Sequence, residues 1–156
     1  MKKYLIGLIM TGIIFGTLAF QVQKKPVEKK KIVHKGKAYL FNGMGSGKIS
    51  KKMLDSLLNY NLIARDTQNR EHPVIQFTFT YAERGAYEDS TGKLRIMTEY
   101  YSIESEQGKL PDFWMRNLRE RSKAGDTAIF SEVLSTYQDS LRTRFYAEPL
   151  KLIITD

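Results

Sequence analysis

The chain has 156 residues, which is enough for one compact domain and too few for two of ordinary size. Its composition, 42% hydrophobic and 12% aromatic with only 11 Gly and 4 Pro, excludes a disordered, collagen-like or low-complexity chain. With no cysteine in the sequence, a disulfide framework, a thiol nucleophile and cysteine-ligated metal centres are excluded.

The net charge of +8 comes entirely from the start of the chain. Lys2 and Lys3 are followed by residues 21–37, which hold seven lysines and one glutamate. Residues 38–156 hold 16 basic and 16 acidic side chains, so this part is electrically neutral. Because affinity for nucleic acid follows the number of phosphate charges that are neutralised, we expect no nucleic-acid partner.

Residues 1–22 are predicted to be an N-terminal membrane anchor or signal segment. Residues 4–20 carry no charge over 17 positions, a length between that of a signal h-region, about 7–15 residues, and that of a spanning helix, about 17–25. We favour an uncleaved hydrophobic helix that anchors the protein in a membrane by a single pass. The alternative is a signal that is cleaved, which releases the domain on the far side of the membrane.

Residues 23–37 are predicted to be a lysine-rich linker, solvated and able to lie against anionic headgroups. Two lysines precede the hydrophobic run and seven follow it. The positive-inside rule places the more basic flank in the cytoplasm, which opposes export of the domain. A cytoplasm-facing anchored domain therefore stays open as an alternative.

The folded part, residues 38–156, begins with a predicted short strand at residues 38–41, which ends at Asn42 and Gly43. Ser50 is a good N-cap for a first helix. The apolar residues of that helix fall on one face, which we expect to point to the core: Met53, Leu54, Leu57 and Leu58.

The clearest strand covers residues 74–81, where Ile75, Phe77, Phe79 and Tyr81 alternate with more polar residues. Residues 94–103 are also rich in β-formers, and a turn-prone loop over residues 88–92 connects the two segments. The pattern predicts an antiparallel hairpin.

A second helix opens at Leu110-Pro111-Asp112, because proline suits a first turn and aspartate the positive end of the dipole. Gly125 is the predicted C-cap. Trp114, Met115 and Leu118 form the predicted inward face of this helix, with basic residues on its outer face. We take four residues of the helix as candidate contacts for a partner: Phe113, Trp114, Arg116 and Arg119.

The last third of the domain is predicted to be β-structure. Residues 129–137 fit a helical stripe as well as a buried strand, and their β-branched and aromatic content favours the strand. Residues 138–140 form a turn, residues 141–146 the hairpin partner, and residues 150–155 a terminal strand. The predicted fold class is therefore mainly β with two short helices.

Motifs with chemical meaning fail on spacing or context. Residues 42–50 resemble a phosphate loop, but the required glycine falls on Asn42 and the required hydroxyl on Ile49. Residues 90–93 match a serine–x–x–lysine motif but fall in the predicted turn. His72 has no second histidine at metal-ligand spacing, and paired carboxylates such as Glu104 and Glu106 have nothing to raise a pKa. We predict no catalytic, cofactor or metal site.

The order of the segments resembles the C-terminal domain of GldM, the inner-membrane gliding-motility and type IX secretion protein of Bacteroidetes. The resemblance covers nearly all of residues 43–155. It rests on Gly47-Lys48-Ile49-Ser50 before a short helix, the strand ending Phe77-Thr78-Phe79, a helix opened by leucine and proline, and Ala124-Gly125-Asp126. It implies an antiparallel, β-sandwich-like module in the periplasm that contacts other proteins, and a strand from Thr127 to Leu134.

Two departures from that family matter. The shaft that separates the membrane from the terminal domain in GldM is absent from this sequence, and residues 66–74 replace the family's usual Asn-Phe-Asp-Phe-Asp run. We therefore expect a stand-alone, non-enzymatic interaction module tethered to the inner membrane, whose partners are envelope proteins. The alternative is a periplasmic domain that binds a small ligand or hydrolyses a substrate, although no small-molecule substrate is evident.

Overall fold

A computed structural model describes residues 33–40, 43–137 and 140–156. The predicted anchor, residues 1–22, and all but the end of the predicted linker lie outside the described residues. Within these residues, neither helix is long and apolar enough to cross a membrane. The elements in chain order are β1 (His34–Tyr39), β2 (Gly47–Ser50), α1 (Lys51–Leu57), β3 (Ile63–Asp66), β4 (Glu71–Glu88), β5 (Leu94–Glu106), α2 (Asp112–Arg121), β6 (Thr127–Tyr137), β7 (Ser140–Glu148) and β8 (Leu150–Thr155).

All of these strands belong to one mixed sheet in the order β2-β8-β6-β7-β1-β3-β4-β5, in which β6 also pairs with β4. The prediction of a mainly β fold with two short helices is confirmed. The finer expectation of a wholly antiparallel, sandwich-like arrangement differs from what is found. β1 runs parallel to β7, β2 runs parallel to β8, and the strands form a single sheet.

The extra pairing of β6 with β4 closes five strands into a ring of β4, β6, β7, β1 and β3. The ring uses the first residues of β4 and the last residues of β6. Beyond it, the rest of β4 and β6 continue with β5, β8 and β2 as an open sheet. The fold is thus a small barrel that opens into a sheet at one end.

Two β-bulges mark the change from barrel to sheet. Ile75 is an extra residue on β4, since Val74 lies opposite Ser135 and Gln76 opposite Leu134. Glu132 is an extra residue on β6 and has a positive φ of 51°. Because a bulge shifts the alternation of side chains by one, each strand turns a different set of residues inward on its two sides.

On β4 the inward-facing buried residues are therefore His72 and Val74 before the bulge, and Phe77, Phe79 and Tyr81 after it; Ala82, the next residue along, is buried as well. The alternation from Phe77 to Tyr81 is confirmed. The inclusion of Ile75 in the same face is wrong, because Ile75 is the bulged residue and is only partly buried.

Both helices contribute to the single core. Ser50 caps α1, its hydroxyl oxygen accepting the N–H of Met53 at 3.3 Å, as predicted. Leu54 and Leu58 are buried and Leu57 is partly buried, whereas Met53 is exposed, so its assignment to the inward face is wrong. On α2, Met115 and Leu118 are buried and Trp114 packs against the core from its margin.

Three element boundaries differ from those predicted. β1 begins at His34, inside the range assigned to the linker, and its N-terminal residue pairs with β7. Residues 47–50 form strand β2, so the glycine-rich stretch leads into a strand before the helix. α2 ends at Arg121 with Ser122 as its C-cap, and Gly125 instead occupies a turn with a φ of 93°.

The other predicted β-elements are present. β4 and β5 form the antiparallel hairpin, residues 127–137 are a strand, and β7 and β8 follow as expected. Of the predicted turn 138–140, residues 138 and 139 lie outside the described residues, and the inclusion of Ser140 is wrong, because Ser140 is the first residue of β7.

Asp126 is a fully buried carboxylate at the junction of three elements. It accepts the O–H of Tyr81 on β4, the N–H of Arg84 at 2.8 Å and the N–H of Lys123 at 3.0 Å. Its own carbonyl accepts the N–H of Ile154 on β8 at 2.9 Å. One side chain thus ties β4 to the segment that follows α2, and its backbone ties that segment to β8.

His72 and Asp66 form a second buried polar pair, at the barrel. His72 Nε2 lies 3.1 Å from Asp66 Oδ2, and the ring contacts Tyr137 and Phe145 edge-on. Burial by itself raises the pKa of Asp66, but hydrogen bonds from the N–H of Arg70, the His72 ring and the Arg70 guanidinium outweigh it. The net effect holds the pKa of Asp66 well below its usual range.

We expect removal of the Asp126 carboxylate to be among the most destabilising single changes in the domain. Asp126→Ala leaves a buried hydroxyl and two N–H groups without their acceptor, at a cost of about 3 kcal/mol or more in the free energy of unfolding. Tyr81→Phe removes one of these hydrogen bonds and should cost about 1–2 kcal/mol. Denaturant unfolding measures both, and equal stability of Asp126→Ala and wild type would contradict the role given to this carboxylate.

Asp66 should make the domain sensitive to acid. Because its folded pKa lies below the unfolded value of about 3.9, its contribution to stability is present above pH 4 and is lost as the pH falls. Asp66→Asn should lower Tm at pH 7, and the difference from wild type should shrink below about pH 4. Glu104→Gln, which changes an exposed carboxylate on β5, is the control and should leave the pH profile of Tm unchanged.

Candidate protein-interaction surface

The β4–β5 hairpin is the longest paired unit of the fold. Its register is continuous from Gln76 opposite Glu106 to Glu88 opposite Leu94. Asp89 closes the turn, with its carboxylate accepting the N–H groups of Thr91 and Lys93 at 2.9 and 3.1 Å. The serine–x–x–lysine motif at residues 90–93 therefore lies in a turn, as predicted.

The free end of this hairpin exposes apolar side chains. β5 is an edge strand, and in the described part of the chain it pairs with β4 alone. The large apolar residues that it and the end of β4 expose are Tyr87, Leu94, Ile96, Met97, Tyr100 and Tyr101. A long edge with exposed apolar residues is uncommon in proteins that function alone, because it can pair with other strands.

Helix α2 lies beside the base of the hairpin, and a groove of about 220 Å³ separates them. We call it the α2 groove; it is lined by Tyr81, Glu83, Tyr101, Phe113, Trp114, Asn117, Leu118 and Arg121. Phe113 is 65% exposed at its rim. Trp114 is partly buried, and its ring contacts the Phe79 ring edge-on with centroids 5.5 Å apart.

Glu83, which lines the α2 groove, forms two ion pairs. Arg121 Nη2 donates to Glu83 Oε2 at 2.8 Å, and Lys123 Nζ lies 3.5 Å from Glu83 Oε1. The negative charge of Glu83 raises the pKa of Arg121. The Arg121 guanidinium also lies over the Tyr101 ring, 5.8 Å from its centroid, so one cation connects α2 to both strands of the hairpin.

The groove keeps its tyrosine hydroxyls protonated. Burial, followed by the hydrogen bond to Asp126, raises the pKa of Tyr81 well above its ordinary value. The hydrogen bond that the Tyr101 hydroxyl donates to Glu99 raises the pKa of Tyr101. The groove therefore offers aromatic surface, one carboxylate and one guanidinium.

The structure separates the four candidate contacts of α2 into two pairs. Phe113 and Trp114 line the α2 groove. Arg116 is exposed but does not line the groove. Arg119 donates to the side-chain oxygen of Asn59, next to α1.

Sequence reasoning missed Tyr81, Glu83, Tyr101 and Arg121 as groove residues. The spacing of four between Phe113, Asn117 and Arg121 is a helical signal that identifies Arg121.

Other features of chemical interest lie apart from the groove. Within the described ranges, no group of three or more His, Asp or Glu side chains is placed to hold a metal ion. A shallow depression of about 320 Å³ lies beside β1 and β3, and its arginine, Arg65, already donates to Glu71 at 2.7 Å. Glu104 and Glu106 are exposed on β5.

No protein-family model and no curated protein sequence matches the chain.

Proposed function

We propose that this chain is a non-catalytic protein-interaction module of the cell envelope, tethered to the inner membrane with its domain in the periplasm. The uncharged run of residues 4–20 supports the anchor, and the neutrality of residues 38–156 argues against a polyanionic partner. The resemblance of residues 43–155 to the C-terminal domain of GldM supports a protein partner of the envelope.

The observation that carries the proposal is the α2 groove. It combines an exposed aromatic ring, Phe113, with a guanidinium held over a tyrosine, and both are fixed on elements that pack on the core. Aromatic and arginine side chains at the mouth of a small apolar pocket are typical of the energetic centre of protein interfaces. We infer that the groove receives an apolar side chain of the partner, with Phe113 packing beside it.

A protein partner fits the groove better than a small ligand does. Its volume of about 220 Å³ is below the 300–1,000 Å³ that is usual for small-molecule sites. Its charged groups, Glu83 and Arg121, already bind each other at 2.8 Å. For the α2 groove we therefore place the ligand-binding or hydrolytic alternative second.

A photo-crosslinking amino acid at position 113 should capture an envelope protein in intact cells. The matched control is the same amino acid at position 53, because Met53 is also an exposed apolar residue on a helix. We expect an adduct from position 113 that position 53 does not give and that Arg121→Glu reduces. The same adducts from both positions, or none from position 113, would contradict the proposal.

Substitution should separate contact from packing within the groove. Phe113→Ser should leave Tm within about 2 °C of wild type, since an exposed side chain contributes little to stability, yet it should reduce partner capture by the same photo-crosslinking amino acid placed at Asn117 of the groove. Trp114→Ala should destabilise the domain by about 2 kcal/mol, because its ring packs on Phe79. If Phe113→Ser lowers Tm as much as Trp114→Ala does, Phe113 is a packing residue and loses its role as a contact.

The orientation of the domain is tested by a reporter fused after Asp156 that is active on only one side of the membrane. We expect activity on the periplasmic side. Activity in the cytoplasm would favour the alternative in which the anchored domain faces the cytoplasm. The size of the mature fusion distinguishes an uncleaved anchor from a cleaved signal.

A further inference from the structure

The β5 edge, residues 94–101, presents an open site for another strand. Its partner β4 occupies one side, and no described strand occupies the other. Alternate residues on that free side leave their N–H and C=O groups without strand partners. β5 has no proline, and its pairing with β4 has no bulge, so neither of these two protective features blocks the approach of a second strand.

The side chains that flank this free edge are strongly exposed. Leu94 is 77%, Ile96 68%, Met97 43% and Tyr100 68% exposed. Leu94, Ile96 and Tyr100 share one face of the strand, and Arg95, Met97 and Glu99 share the other. An added strand would cover apolar residues on both faces.

We propose that the occupant is a second copy of this chain, paired antiparallel through β5 about a two-fold axis at Met97. In that register Arg95 lies opposite Glu99 of the second copy, and the symmetry generates this ion pair twice. Leu94 lies opposite Tyr100 of the second copy, also twice. The edge is therefore complementary to itself in charge and in apolar character.

Neighbouring registers are less complementary. An axis at Glu99 places two carboxylates directly opposite each other, which is unfavourable. An axis at Thr98 sets Glu99 opposite Met97 and leaves Arg95 without a carboxylate. An axis at Ile96 places Tyr100 opposite Gly92. Of the four axes considered, only the axis at Met97 places Arg95 opposite Glu99 and Leu94 opposite Tyr100.

The charged groups of the β5 edge retain capacity for the second copy. Arg95 donates through Nε to Asp89 at 2.8 Å, and a guanidinium has four further N–H donors. Glu99 accepts the Tyr101 hydroxyl with Oε2, and its other oxygen is free to accept a further hydrogen bond. Pairing of the edges therefore adds contacts to those within each copy.

Because the chain has no cysteine, disulfide crosslinking reads the register directly. Residues opposite each other in a sheet have Cα atoms about 4.5–5.5 Å apart, which a disulfide can span. Met97→Cys in the full chain, oxidised in membranes, should give a crosslinked dimer. Tyr100→Cys is the matched control, since residue 100 of one copy lies about 20 Å from residue 100 of the other.

The double variant Leu94→Cys, Tyr100→Cys should recover the crosslink, because those two positions face each other between copies. No crosslink from Met97→Cys, or equal crosslinking from Met97→Cys and Tyr100→Cys, would overturn the proposal. Crosslinking of Thr98→Cys in preference to Met97→Cys would overturn the register and with it the proposed axis.

Charge reversal supplies an independent test of the ion pair. Arg95→Glu or Glu99→Arg, each introduced with Met97→Cys, should weaken the association by roughly tenfold, because each change sets like charges opposite each other twice. The double reversal should restore crosslinking. Failure of restoration would show that these variants act by disturbing the hairpin alone, and would overturn the assigned pairing.

This dimer is independent of the α2 groove. Crosslinks at position 97 report on the hairpin, whereas adducts at position 113 report on α2, so either result stands without the other.

Discussion

The buried carboxylate of Asp126 is the interaction on which the arrangement of the domain depends. The two carboxylate oxygens accept hydrogen bonds from the Tyr81 hydroxyl and from two N–H groups of separate segments. Asp126 itself is fully buried. Without that acceptor the Tyr81 hydroxyl would be buried and unpaired, which costs more than the hydrogen bond contributes when it forms, and two part-buried N–H groups would also lose their partner. The same contacts hold the segment that follows α2 against β4, and Tyr81 is also one of the residues that line the α2 groove.

Much of the fold follows from local sequence signals. The cap at Ser50, the alternation from Phe77 to Tyr81 and the turn at residues 89–93 depend on near neighbours, and a sequence pattern reports near neighbours well. The errors arise where a distant strand decides the outcome. Ile75 leaves the inward face because β4 changes its register against β6, and the closure of the barrel needs parallel pairing of β1 with β7.

The candidate site divides in the same way. The adjacency of Phe113 and Trp114 on an amphipathic helix is readable from the sequence, and both residues line the α2 groove. Arg116 and Arg119 lie on the same helix but do not line the α2 groove. Their prediction as contacts rested on exposure, and exposure on a helix does not identify the side that faces the hairpin. Glu83 and Tyr101 come from strands that are distant in sequence, so no local pattern joins them to Arg121.

The position of β8 bears on how the domain acquires its structure. β8 lies between β2 and β6, and β2 has no other strand partner in the described residues. The backbone N–H of Lys151 donates to the Ser46 hydroxyl oxygen at 3.0 Å, across 105 positions of the chain. During synthesis, β2 can therefore pair with β8 only after residues 150–155 have left the ribosome. Pairing at such separation is slow, and it keeps the emerging polypeptide unfolded for longer.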